Sequence, residues 1–429
     1  MDLTSLIKTV LMCLLLLLAA PAAAQDTPIP AITGVERLNI PNDASPRIFP
    51  APDGRAVAYE RAVRLNGHRD FYLCILPAAA AAEPLCQLSP QPPARGFEPD
   101  PTSTWLPFSW SPDSGQLAVV GQPWVTQDDT DLLLFDSAAQ SWRALADDGY
   151  DGALADAPAG VTVSAQPAWS PDGAYIAAEQ ATTTGAGAFA PAALVLIDSA
   201  SGSARELAPV PGADAEAALP GAVSGLAWSP DGARLAVSVR HRQPNAADGL
   251  WLVDVATGET ELLLPLAAVE AALNGVYAGL PLTSTGPLTW SPDGARLLLW
   301  AGNPGKTPAQ VWPFTVDVES AAIAAVPLPA HPNDTPERRS VRPLQAVWSP
   351  DGAHLLLLAF GRPPDEEAVS LDPADSSARL SVRLVDAATG ADSLLGYLPL
   401  GPSNALYLAA WGADGSVITN GYALTLAAP

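Results

Sequence analysis

Apolar and polar positions alternate in short bursts along this chain, and the same turn precedes one burst after another. Ala233-Arg234-Leu235-Ala236-Val237-Ser238-Val239 alternates, and Ala174 to Ala178 does so more loosely, each directly after Trp-Ser-Pro-Asp-Gly. A period of two predicts β-strands. Beyond a loop lies a second apolar run that ends in aspartate: Leu132 to Asp136, Leu194 to Asp198, Leu250 to Asp254 and Val382 to Asp386. A short polar connector, such as Ala256-Thr257-Gly258 or Ala388-Thr389-Gly390, then leads to a further strand such as Glu261 to Leu264. With the strand that runs into the tryptophan, each unit holds four antiparallel strands.

The turn recurs with a fixed period. Trp169-Ser170-Pro171-Asp172-Gly173 reappears letter for letter at 228–232, 290–294 and 348–352. Trp110 to Gly115 reads as a copy with one extra residue, and Pro52-Asp53-Gly54 and Trp411 to Gly415 as eroded copies at the ends. The aspartates fall at Asp53, Asp113, Asp172, Asp231, Asp293, Asp351 and Asp414, at intervals of 58 to 63 residues. Serine first, proline second and glycine fourth suit a tight type I turn, since proline pre-sets φ and glycine accepts a positive one. Four strands per repeat, with a tryptophan and a turn in register, make a propeller blade. These residues resemble the TolB-type, WD-repeat-like propeller repeats, and the resemblance covers nearly all of the chain after residue 24. It implies an all-β propeller fold and envelope-associated interaction work, and it names no partner.

The expected fold is a single propeller of seven four-stranded blades, residues 33–429, after a linker at 25–32. Six blades would leave one turn without a sheet. The last unit runs out early, with Leu406 to Trp411, Val417 to Asn420 and Tyr422 to Leu426 but no fourth strand. Gly34 to Ile40 precedes the first turn as an orphan strand, so it is expected to complete the last blade. Closure of that kind removes strand edges that template aggregation. Trp110, Trp169, Trp228, Trp290, Trp348 and Trp411 are then anchors between blades, and the turn aspartates cap local backbone N–H groups.

Residues 1–24 read as a secretory signal peptide: Lys8, an apolar stretch from Thr9 to Ala20, and the small residues Ala22-Ala23-Ala24. The stretch is short for a membrane span, which takes about 20 apolar residues. Cys74 and Cys86 remain, six residues either side of Ala80, and a hairpin there would set them opposite each other for a disulfide. A pair of buried thiols is the alternative. The formal net charge is −24, with 45 Asp and Glu against 21 Lys and Arg. Beyond residue 24 the only lysine is Lys306. Such a field disfavours nucleic acid and anionic membrane surfaces. A soluble monomer with a protein or peptide partner is the expectation, in a periplasm, on a cell surface or secreted.

Strand order sorts the connections onto two faces. Turns between first and second strands and hairpins between third and fourth are short. The other connections, among them Gln122 to Thr130, Arg240 to Gly249, Leu266 to Gly286 and Gly361 to Ala378, are long and share the opposite face, where binding residues concentrate. Candidate ligand-binding residues there are His68, Trp124, Asp128, Asp129, Tyr150, His241, Tyr277 and His331. Asp128, Asp129 and Asp131 could hold calcium but match no full calcium loop, and a solvated acidic turn is the plainer reading. His68, His241 and His331 would form a metal centre only if loops from separate blades met over the axis; His354 belongs to the other face. No catalytic residue, cofactor or metal is expected. Gly221-Ala222-Val223-Ser224-Gly225 has its serine out of place for a nucleophile elbow, and Gly305-Lys306-Thr307 runs straight into Pro308. The competing expectation is an extracellular enzyme on glycans or peptides, with its site at the channel mouth.

Overall fold

The structure, a computed structural model, describes residues 31–427 except 41–43, 66–67, 79–81, 91–107, 122–129, 147–160, 164–165, 186–187, 213–221, 242–244, 275–283, 286–287, 304–309, 329–340, 363–368, 373–378, 400–408 and 420. The expected signal peptide lies outside the described residues, and among those no helix is long and apolar enough to cross a membrane.

The described strands form seven antiparallel sheets. Blade 1 is Ala44–Pro50, Ala56–Leu65, His68–Pro77 and Leu85–Leu88, and blade 2 is Phe108–Trp110, Gln116–Gly121, Asp131–Asp136 and Ser141–Ala146. Blade 3 has Val161–Val163 with Ala168–Trp169, then Tyr175–Gly185, Ala193–Asp198 and Ala204–Pro209. Blade 4 is Val223–Trp228, Arg234–Val239, Gly249–Asp254 and Thr260–Pro265. Blade 5 opens on Ser284–Thr285 with Thr289–Trp290 and continues through Arg296–Asn303, Gln310–Asp317 and Ile323–Ala325. Blade 6 is Arg342–Trp348, His354–Phe360, Leu380–Asp386 and Asp392–Leu398. Blade 7 joins Ala409–Trp411, Ser416–Thr419 and Tyr422–Leu426 to the N-terminal strand Ile32–Arg37. That closing strand runs antiparallel, from Ile32 opposite Leu426 to Arg37 opposite Tyr422. It starts and ends earlier than Gly34 to Ile40, and the Leu38 N–H finishes the pairing on the Gly421 carbonyl at 2.8 Å.

The core is divided as a ring requires. Seven buried apolar clusters each span two neighbouring blades, from Phe49, Phe108 and Trp110 between blades 1 and 2 round to Leu38, Val57, Tyr59 and Ile418 between blades 7 and 1. Successive residues of a middle strand serve opposite seams: Leu235 and Val237 pack towards blade 3 and Ala236 towards blade 5. The middle strands are therefore buried on both faces, and polar positions inside them are enclosed too. Ser238, which breaks the apolar run, is 2% exposed and meets the Ser224 hydroxyl at 2.9 Å.

Tryptophan ties neighbouring blades. The Trp110 indole N–H donates to the Phe49 carbonyl, Trp169 to Ser109, Trp228 to Ala168 and Trp290 to Ala227, each at 2.9 Å. Each acceptor sits one residue before the tryptophan position of the preceding blade; in blade 1, Pro50 occupies that position. The ladder stops at blade 6, where the buried Trp348 N–H has no acceptor among the described residues; Arg296 covers its ring at 5.2 Å, as Arg234 covers Trp290. Cys74 and Cys86 are directly opposite across two strands of blade 1 and are joined as a disulfide.

The link after blade 4 departs from expectation. Leu266–Asn274, anticipated as irregular, is a helix built from good helix formers. Its Leu266 and Val269 are buried, with Val269 in the cluster between blades 4 and 5.

Candidate functional site

The face that carries the repeated turns is a hydrogen-bonded lattice. In blades 2 to 6 the turn serine is buried, with Ser111, Ser170, Ser229, Ser291 and Ser349 all at most 3% exposed. Its hydroxyl donates to the turn aspartate at 2.5–2.6 Å and accepts the N–H of the fifth residue on, at 2.9 Å. The aspartate also accepts the N–H two residues after it, as Ala174, Ala233 and Ala295 show at 3.0 Å. The serine hydroxyl, then that N–H, hold Asp113, Asp172, Asp231 and Asp293 below the ordinary carboxylate value. Burial pushes Asp351 up, but Ser349 and the Ala353 N–H bring it lower still. Ser416 and its own N–H do the same for Asp414.

Blade 2 has no insertion in this turn. Ser114, at φ 59°, stands where the other blades have glycine, and its N–H reaches the Ser111 carbonyl as Gly173 reaches Ser170. Gly115 then takes the alanine position, donating to Asp113. The turn length is unchanged; serine carries the positive φ.

A second ring of aspartates sits at the hairpins between third and fourth strands on this same face. Asp198, Asp254, Asp317 and Asp386 each accept the N–H and hydroxyl of a serine or threonine three residues on. Strand alternation places all of these turns on one side of the ring and the longer connections on the other, except in blade 1, where the 78–84 connector lies on the turn side and only residues 66–67 separate the second and third strands.

On the long-connection side the described residues do not repeat one pattern around the ring. The second-to-third strand hairpin extends furthest in blades 1 and 3, where pairing continues to Leu65 opposite His68 and to Gly185 opposite Ala188. His68 is thus the first residue of a strand rather than part of a loop, at the tip of the blade 1 hairpin. His241 lies in the blade 4 connection, three blades away. Its backbone N–H and its ring Nδ1 both meet Asp248 Oδ1, at 2.9 and 2.7 Å. The other ring nitrogen, Nε2, is buried and has no hydrogen-bond partner among the described residues. The same connection meets the link from blade 3 through Asn245, whose Nδ2 donates to the Gly212 carbonyl at 3.4 Å, and a side chain at Gly212, φ 76°, would lie 2.7 Å from Ala247 and 2.9 Å from the imidazole. Burial raises the Asp248 carboxyl, yet hydrogen bonds from the His241 and Asn245 backbones and the His241 ring carry it below its usual value.

Trp124, Asp128, Asp129, Tyr150, Tyr277 and His331 lie outside the described residues. Asp131, grouped with Asp128 and Asp129 as a solvated acidic turn, is instead buried at the head of a blade 2 strand. Two further buried carboxylates follow in consecutive blades at this end of the sheets: Glu179 in blade 3, which accepts the Ala222 N–H of blade 4 at 3.3 Å, and Asp248 in blade 4. Glu179 gave no signal in the sequence, because a single glutamate after an apolar run reads as a strand end. Among the described residues, no group of three or more His, Cys, Asp or Glu is arranged to hold a metal ion.

No protein-family model matches this chain, and no curated protein does. Solved structures do. An oligogalacturonate lyase from Vibrio parahaemolyticus superposes with a TM-score of 0.53 over 92% of this chain and 96% of the other, at 11% identity. The β-propeller domain of Cps50 (Swd1) from Myceliophteria thermophila gives 0.46 over 93% and 100%, at 15% identity. TolB from Acinetobacter baumannii gives 0.40 over 87% and 79%, at 14% identity. At these identities the likeness is one of fold.

Proposed function

We propose that this protein is an exported, non-catalytic propeller that binds a protein or peptide through its long-connection face. The observation that carries the reading is the contrast between the faces. One repeats the same serine–aspartate lattice around the ring, which leaves its side chains committed to the backbone. The other carries, among the described residues, connections of several builds, the arrangement in which a rigid scaffold displays variable binding residues. The resemblance of the repeats to TolB-type propellers supports work at a cell envelope, and the Cys74–Cys86 disulfide is compatible with an oxidising compartment. The test places a photo-crosslinking residue at position 68, 124, 150 or 277, and in parallel at 172 or 254, in the producing cell. A shared crosslinked partner from the first set and none from the second supports the reading. Crosslinks from the turn face alone would overturn it.

A second reading, an enzyme on extracellular glycans or peptides, draws on the His241–Asp248 pair, in which a carboxylate orients an imidazole with one nitrogen left over. Turnover of an oligosaccharide or peptide library that His241→Ala abolishes would favour it over the binding role.

A further inference from the structure

The outer edge of blade 6 is already occupied by the chain itself. Residues 369–372, from the connection between the second and third strands of that blade, lie against the outer strand Asp392–Leu398 at Gly396 and Tyr397. Ser370 bridges Tyr397 in parallel: the Leu371 N–H donates to the Tyr397 carbonyl at 2.7 Å, and the Tyr397 N–H to the Val369 carbonyl at 2.9 Å. The Leu371 side chain packs on the cluster between blades 6 and 7. It fills the place that a side chain at residue 396 would need: a Cβ on Gly396, at φ 151°, would stand 2.5 Å from it. Asp372 accepts the Tyr422 hydroxyl of blade 7 at 3.0 Å.

The other outer strands are guarded by their own sequence. Those of blades 3 and 4 end in Pro209 and Pro265, blade 2 carries Arg143, blades 1 and 5 present four and three residues, and blade 7 carries Glu36 and Arg37. The blade 6 strand is seven residues long and, after Asp392, reads Ser-Leu-Leu-Gly-Tyr-Leu with neither proline nor charge. Such an edge is a template for strand addition.

We propose that the outer edge of blade 6 is a strand-addition site for an extended peptide of a partner protein, held closed by residues 369–372 acting as an internal stand-in. The stand-in defines the ligand: parallel to Asp392–Leu398, with a leucine over Gly396 and a carboxylate one residue later for Tyr422. This surface is the rim of the ring, so the inference does not depend on the long-connection face. A tethered segment competes at an effective concentration of order millimolar, so the intact protein stays closed to dilute peptide.

The test uses the full chain with Leu371→Asp, which unseats the stand-in, and a fluorescent synthetic peptide with the sequence of residues 367–374. Saturable binding at least tenfold tighter than to the unaltered protein is expected. A peptide with aspartate for its leucine should lose at least tenfold, and Gly396→Ala added to Leu371→Asp should abolish binding. A folded Leu371→Asp protein that binds neither peptide, or both alike, overturns the proposal, as does its sedimenting as an edge-paired dimer. Hydrogen exchange on the unaltered protein gives a second check. The Leu371 and Tyr397 amides should exchange at least tenfold faster than those of Val382 and Leu384, and equal protection would mean that the edge never opens.

Discussion

The two faces of this ring obey different rules. On the turn face, Ser229 and Asp231 make the same contacts as Ser170 and Asp172 one blade earlier, to within 0.1 Å. On the opposite face the described connections differ: extended hairpins in blades 1 and 3, a histidine–aspartate pair in blade 4 and a helix in the link that follows it. The first face is where the fold is specified, because each buried serine needs its aspartate and its N–H to avoid an orphaned polar group. The second is released from that duty and free to differ.

The largest effect should come from the seams that the turn face aligns. Trp290→Ala removes an 8% exposed indole between blades 4 and 5 and should cost about 3–5 kcal/mol by denaturant unfolding. His241→Ala on the other face should cost less, and an equal cost would break the contrast. Next, Cys74→Ser with Cys86→Ser opens a cross-link between residues 12 apart and should cost about 3 kcal/mol. The disulfide lies within blade 1, so the loss should appear there first in hydrogen exchange. Ser229→Ala leaves the Arg234 N–H without its acceptor and Asp231 with only the Ala233 N–H of its two donors, a loss of about 1–2 kcal/mol in chemical denaturation.

The indole ladder sharpens the comparison further. Trp290→Phe loses a hydrogen bond that Trp348→Phe does not, so the first should destabilise by about 1 kcal/mol more. The smallest and broadest effect is on pH. The turn carboxyls sit below their ordinary value when folded, so their contribution is present above about pH 4 and is lost as pH falls through the folded values. Melting temperature should hold from pH 7 to about 5 and drop below 4, and less steeply in Asp231→Asn.

The same contrast explains what could be read from the residues alone. Repetition made the turns, the seven blades and the closing strand legible, since five strong copies of one local solution leave little freedom. Where the chain solved a local problem once, the pattern was silent. In Leu266–Asn274 the buried Leu266 and Val269 face the seam, but alanine fills most other positions, including the exposed Ala267 and Ala271, so no polar face marks the helix in the sequence. Ser114 adopts a positive φ that its neighbours reserve for glycine, which made a substitution look like an insertion. Glu179 is buried and accepts an N–H from the next blade, a fact that no local window contains.

A proteolysis-based stability scan of single substitutions along the whole chain tests the division of labour most directly. The account predicts sharp losses recurring about every 60 residues at the turn serines and the seam tryptophans, with tolerance across the long connections between them apart from the core-packed Leu266, Val269 and Leu371. Losses spread evenly over both faces, or tolerance at Ser170, Ser229 and Ser291, would contradict it.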